Sequence, residues 1–480
     1  MERMTTLDAG FFFAEHACVP MHLGALAVFE GPSPSYQELA DLYAGRLSRV
    51  PRYRQVVRTA PLQIFRPVWT DDCHFELGHH VRHAAVPEPG QSRQLYDTAG
   101  KIYAQPLDRS RPLWEAWLLD GIAEGRWAIL FKVHHCLVDG VGGADLMTEV
   151  FDLQPDCGPP TRPPVWEPQP EPSLAGALAS GLGDQVTVPL RVIAGVPRLV
   201  RQRLPAADDL AAFARGLTSS ARRLMTPAAS CLNGPIGPDR ECTWTTTGMN
   251  TVRQIRAEHG GSVNDVVLAA ITRGFRDLLI ERRALSDGLC VRSLIPVSIR
   301  CPEERGVTTN RLSAVLANLP VAESDPIRRL HLIRDQMQQL KRTNQAVGAE
   351  LLTHMLGATP PSLLRLGARV AFQLPQSLVQ TMTTNVPGPG FPLYVLGRKM
   401  VQVHPYAPIG DNVKIAIAIF SYLNELSFGI TADATAAADL SVLARGIHRG
   451  LAELQPAAIR AHPRPARQQN AGSRTAALRT

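Results

Sequence analysis

Two adjacent histidines, His134 and His135, followed by Asp139 and Gly140, close an apolar run and are the residues of this chain best suited to chemistry. An imidazole titrates near neutrality when unperturbed, so it can take up a proton and return it. Neighbouring residues on a strand point to opposite faces. One histidine of the pair can therefore face a reacting group while the other packs or orients. Asp139 can hold an imidazole, or pair with a distant arginine and brace the turn, and Gly140 permits backbone angles that a side chain forbids. A second pair, His79-His80, lacks a following Asp-Gly and reads as surface or strand-end histidines. Cys136 adjoins His135, but adjacency in sequence does not bring a thiol beside its neighbour's imidazole.

The elements around the pair must position it. Ile129, Leu130, Phe131 and Val133 form a buried strand that stops at the histidines. Apolar spacing then changes to Leu146, Met147, Val150 and Phe151, one face of a short helix. A strand over 111–121 joins the histidine strand through Ala123-Glu124-Gly125 as a hairpin. Further strands are expected at 21–29, within 63–77, and at 291–300, 310–321, 383–389, 413–420 and 426–432. Helices are expected at 36–47, 92–105, 325–345, 351–380 and 440–454, with another following Ser262 or Asn264 as N-cap.

Four regions result. Residues 1–155 form a mixed α/β N-terminal lobe. Residues 156–235 begin with a proline-rich linker, eight prolines lying between Pro155 and Pro172, and continue as a crossover. Within it, 174–204 reads as a helix against the second lobe or a partly disordered stretch, interrupted by Pro189 and Pro197, or as an amphipathic helix on a membrane surface. Residues 236–460 form the C-terminal lobe, and 461–480 a disordered basic tail.

The chain has 480 residues, 45% apolar and 19% charged, as in folded two-domain proteins. Its net charge of +7 comes from 45 Arg against 5 Lys. No basic motif interleaved with aromatics accompanies them, so nucleic acid is not an expected partner. The basic excess suits a phosphorylated substrate or an anionic membrane surface. The eight cysteines show no metal-like spacing, which reads as reduced thiols in the cytoplasm. No signal pattern or membrane-spanning run is present, so any membrane or lipid-droplet contact is expected to be peripheral.

The stretch HHCLVDG (134–140) has the HHxxxDG form shared by chloramphenicol-acetyltransferase-like acyltransferases and peptide-synthetase condensation domains. Other stretches resemble the bacterial wax ester synthase/diacylglycerol acyltransferases: LDAGFFFAE and PMHLG near the start, Pro112-Leu113-Trp114, Asn264-Asp265 before VVLA, PVSIR, Asn318-Leu319-Pro320 and NVPGP. The resemblance runs in order from about residue 5 to residue 455. It implies a two-lobed α/β fold, each lobe a sheet with helices, and an active-site tunnel between them. It further implies transfer of a fatty acyl group from coenzyme A to diacylglycerol or a long-chain alcohol. His135 would be the general base and His134 its support. Asp139 would be structural and paired with Arg300, beside Gly140, and Asn264 would donate to the oxyanion. Trp114 and Asp265 are candidate substrate-binding residues, each also readable as a core tryptophan and a helix cap. No metal or organic cofactor is implied beyond the acyl-CoA substrate. The competing readings are a carrier-protein-dependent condensing enzyme and a non-catalytic lipid-binding protein.

Overall fold

The histidine hairpin lies at the centre of the first of two large sheets. The computed structural model describes residues 2–59, 66–138, 147, 149–156, 166–170, 228–298, 312–347 and 379–455. Asp139, Gly140, Arg300, the segments 174–204 and 351–378, and the 461–480 tail lie outside the described residues.

The chain opens with β1 (Glu2–Arg3), helix α1 (Thr6–Ala14) and β2 (His22–Phe29). Thr5 caps α1 by accepting a hydrogen bond from the Asp8 amide. The periodicity reading finds no helix there, because a nine-residue helix whose apolar residues cluster toward its end, as FFFA, is too short to show a face. α2 (Tyr36–Arg46) begins with a capping box between Ser35 and Glu38. β3 (Gln55–Arg58), β4 (Val68–Asp71), β5 (Val81–Ala85) and α3 (Ser92–Ala104) follow, then the hairpin of β6 (Trp114–Ile122) and β7 (Arg126–His134). Its turn places Glu124 and Gly125 at φ 63° and 65°.

The second lobe comprises β8 (Arg240–Gly248), α4 (Met249–His259), α5 (Val263–Glu281), β9 (Val291–Ser298), β10 (Leu312–Leu319), α6 (Pro326–Val347) and β11 (Thr381–Pro387). The chain continues through β12 (Tyr394–Val395), β13 (Arg398–Tyr406), β14 (Ile415–Tyr422), β15 (Glu425–Asp433) and α7 (Leu440–Leu454). Its sheet has the order β10-β9-β11-β14-β15-β8, with β11 parallel to both neighbours. The apolar faces of α4, α5, α6 and α7 cover one side of it, in a core that includes Val267, Phe275, Leu330, Leu443 and Phe428.

The first sheet has the order β12-β13-β2-β7-β6-β5. β12 and β13 come from the region assigned by sequence to the C-terminal lobe, so 236–460 is not a lobe by itself. The physical reason is the free edge of β2. β13 fills it with an antiparallel ladder from Met400 opposite Phe29 to Tyr406 opposite Gly24. The linker boundary moves as well, since Ala228 and Asn233 bridge to Cys290 and Val413 of the second lobe.

β13 also joins the two lobes. The Trp244 indole donates to the Pro405 carbonyl at 2.7 Å. A Cβ on Gly429 would lie 1.9 Å from that same oxygen, so only glycine admits this approach. His404 Nδ1 lies 3.1 Å from Ser427 Oγ. The loop after α1 meets the second lobe too, through Arg240, which donates to the Cys18 carbonyl, and through Ile236 against Ala14, Val19 and Met21.

Candidate active site

Side chains alternate along β7. Trp127, Ile129 and Val133 enter the core under α1 and α2, whereas Ala128 and Leu130 pack with α3. Lys132 and His134 continue the second face. Lys132 is buried, 3.2 Å from Glu115 and donating to the Gln105 carbonyl at 2.7 Å. His134 stands opposite His22 in the β2–β7 ladder. The His22 Nε2 bonds to the Tyr103 carbonyl at 2.9 Å. A carbonyl only accepts, so that nitrogen carries the proton. A Cβ at Gly24 would lie 2.3 Å from the Tyr103 ring, which explains the bare position beside His22.

The strand ends at the histidines through a change of hydrogen-bond partner. The His134 amide still donates to Leu113 at 3.0 Å, and the His135 amide to Met21 at 2.8 Å. Leu137 then turns back to the His134 carbonyl at 2.9 Å. The fully buried His134 ring accepts the Cys136 amide on Nδ1 at 3.0 Å. An accepting ring nitrogen is unprotonated, so this bond assigns the proton to Nε2. That nitrogen faces the Glu15 carboxylate at 3.5 Å. Glu15 takes the Met21 amide on its other oxygen at 3.1 Å, and Arg109 approaches it at 3.7 Å. Burial pushes the Glu15 carboxyl up, but His134, the Met21 amide and Arg109 outweigh it and hold the group below its ordinary value.

His135 points elsewhere. Its ring is stacked against Phe11 of α1, with centroids 3.9 Å apart and planes 15° apart. Burial lowers its pKa to about 4, against a bond to its own main chain that raises it. At neutral pH the imidazole is therefore in its base form. Cys136 is buried, and its thiol is pushed well up by burial and by the negative Asp8 and Glu15. It remains a thiol and is no nucleophile.

Asn264 and Asp265 begin α5. Ser262 is the N-cap, and Asp265 closes a capping box by taking the Ser262 amide at 2.7 Å. Asp265 is thus placed as a cap. Asn385 of β11 donates to Asn264 Oδ1 at 3.4 Å, which leaves the Asn264 amide nitrogen as the donor beside a helix N-terminus. Trp114 has no exposed surface. It donates to the Tyr53 carbonyl at 2.8 Å and stacks between Tyr53 and His80, a core position rather than a substrate wall. His79 is exposed as expected. His80 is not a surface residue, because its Nδ1 bonds the Trp114 carbonyl at 2.9 Å and its ring is sandwiched between Phe75 and Trp114.

Phe11, Glu15 and Arg109 are absent from the sequence-based site. The only local signal is Glu15, a carboxylate set among FFFA and HACVP, where a buried charge requires a partner. Among the described residues, the six cysteines are free thiols and no cluster of metal ligands occurs.

Comparison with known proteins follows the same outline. Residues 4–267 match the family profile described as the wax ester synthase/diacylglycerol acyltransferase catalytic domain. Residues 308–455 match the corresponding WS/DGAT C-terminal domain. The chain is 35% identical over 457 residues to a protein of Mycobacterium tuberculosis named probable diacylglycerol O-acyltransferase, covering 95% of this chain and 96% of that one. The solved wax ester synthase/diacylglycerol acyltransferase of Marinobacter aquaeolei is 25% identical, with a TM-score of 0.67 over 95% of this chain and 98% of that one. The first condensation domain of the calcium-dependent antibiotic synthetase shares the fold, at 15% identity and a TM-score of 0.60 over 95% of this chain and 96% of that one.

Proposed function

Since the chain belongs to the wax ester synthase/diacylglycerol acyltransferase family and is an acyltransferase, we propose that it carries a fatty acyl group from coenzyme A to the hydroxyl of diacylglycerol or a long-chain alcohol, with His135 as general base. The observation that carries this reading is the His135 ring itself. It sits where β7 ends, with its backbone amide tied to Met21, and is held in the neutral form by burial under Phe11.

His135 removes the acceptor's hydroxyl proton as the oxygen attacks the thioester carbonyl. A C–O bond forms and the carbonyl becomes a tetrahedral oxyanion, to which the amide nitrogen of Asn264 donates. Collapse breaks the C–S bond, and the proton on His135 passes to the departing thiolate. No metal or further cofactor takes part. The similarity to a relative named for diacylglycerol supports that acceptor over the alcohol. Both acceptors reside in lipid. The acceptor is met at a membrane or lipid-droplet surface, and among the described residues no helix is long and apolar enough to cross a membrane.

Thiol release from palmitoyl-CoA by purified protein tests the reading, with 1,2-dioleoylglycerol or hexadecanol as acceptor and His135→Ala beside the wild type. Release that requires an acceptor and is lost in the variant supports it and names the acceptor. Folded protein that releases no thiol with either acceptor overturns it in favour of a carrier-protein donor or a non-catalytic role.

A further inference from the structure

We propose that Glu15 is the positioning residue for the base, fixing the peptide on each side of His135 from one carboxylate; this rests on the reading of His135 as the base.

One Glu15 oxygen receives the Met21 amide at 3.1 Å. Met21 in turn offers its carbonyl to the His135 amide at 2.8 Å. The other oxygen faces His134 Nε2 at 3.5 Å, and His134 Nδ1 receives the Cys136 amide at 3.0 Å. The amide entering His135 and the amide leaving it are thus tied, through one intermediary each, to the same side chain. Both intermediaries are enclosed: Met21 is 4% exposed and His134 is 0% exposed. Neither can replace a lost partner with solvent.

The arrangement also selects a tautomer. His134 can hold the Cys136 amide only while Nδ1 is bare, which requires a proton on Nε2 and therefore an acceptor facing it. Glu15 Oε2 is the carboxylate oxygen on that side, 3.5 Å from the nitrogen. Arg109 approaches the same carboxylate oxygen that faces His134, 3.7 Å away, and donates to the Phe12 carbonyl at 3.0 Å. Glu15 is thereby held against α1, the helix that lays Phe11 on the His135 ring. Glu15 touches no reacting atom in this scheme. It acts through the orientation of a ring that must lie within a fraction of an ångström of its productive place.

Glu15→Gln is the discriminating variant. Glutamine has nearly the same size but presents one acceptor and one donor, where glutamate presents two acceptors. Whichever way the amide turns, its N–H confronts either the Met21 amide or the protonated nitrogen of His134. With palmitoyl-CoA and 1,2-dioleoylglycerol, kcat is expected to fall roughly 10–100-fold while KM for each substrate stays within about threefold. Nitrogen-15 NMR of histidine-labelled wild-type protein at pH 7 should show His134 neutral and protonated on Nε2, and the variant should lose that pattern.

Wild-type kcat in a folded Glu15→Gln protein overturns the proposal, as does an equal loss spread over kcat and KM. Should the variant not fold, the wild-type spectrum still decides: a His134 protonated on Nδ1, or on both nitrogens, overturns it. His135→Ala is assayed in parallel. If that variant remains active, the reading of the base is at fault. If it is inactive while Glu15→Gln is unimpaired, only the role of Glu15 fails.

Discussion

The ring of Phe11 lies 15° from parallel to that of His135, with centroids 3.9 Å apart. One face of the imidazole is therefore closed to water by a helix from a different part of the chain. Burial is the largest cause holding this group at about 4. Phe11→Ala should admit water and let the group rise toward its ordinary value. The acid limb of the kcat/KM profile, governed by loss of the neutral base, then moves upward from about pH 4. At pH 5.5 the wild type keeps nearly all of its activity, whereas a base restored to about 6.5 keeps about a tenth. A limb that stays near pH 4 in the variant would show that Phe11 does not set it.

His404, 4% exposed at the lobe junction, is likewise depressed to about 4 by burial. Between pH 6.5 and 4 the unfolded chain binds a proton here that the folded chain does not. Stability from this group is present above pH 6.5 and is lost as the pH falls through about 4, by up to about 3 kcal/mol. Urea midpoints measured from pH 7 to pH 4.5 should fall, and His404→Gln should flatten the fall. An unchanged slope in that variant would place the acid sensitivity in other groups.

Asn264 is oriented by Asn385, which takes its oxygen and leaves its nitrogen as donor. Removing an oxyanion donor lowers kcat by roughly 10²–10³-fold. Asn264→Ala should lose activity on that scale with little change in KM, and Asn385→Ala should lose less, since it frees the amide without deleting it. Wild-type kcat in Asn264→Ala would move oxyanion stabilisation to another donor.

Trp114 separates packing from substrate contact. Trp114→Phe keeps an aromatic ring between Tyr53 and His80 but leaves the Tyr53 carbonyl without its 2.8 Å donor. The expected cost is about 1–2 kcal/mol in urea unfolding, with KM for acyl-CoA and acceptor unchanged. A raised KM at unaltered stability would instead return Trp114 to the substrate.

The histidine hairpin, the helices at 36–46 and 440–454 and the capped helix after Ser262 were legible in the sequence, because each carries a local period or a cap. Helix α1 was not, since its apolar residues cluster without spacing that marks a face. β13 was missed for a different reason. Its burial comes from a pairing with β2 and a seat against β15, neither of which is recorded in its own residues. The histidines themselves announce chemistry by type and spacing. Glu15 and Phe11 do not, because their relation to His135 exists only once α1 has folded back over the end of β7. The tie between Asn264 and Asn385 spans α5 and β11 and is equally silent in sequence.

The pairing of β13 with β2 has a consequence for synthesis. The strand that closes the histidine sheet leaves the ribosome long after the histidines do. Until then β2 presents unpaired backbone groups, flanked by Leu26 and Val28, to whatever strand is nearby. A chain that stops in the proline-rich segment is therefore not half of an enzyme but a sheet lacking its edge. The catalytic half becomes complete only when the other half supplies its last strand.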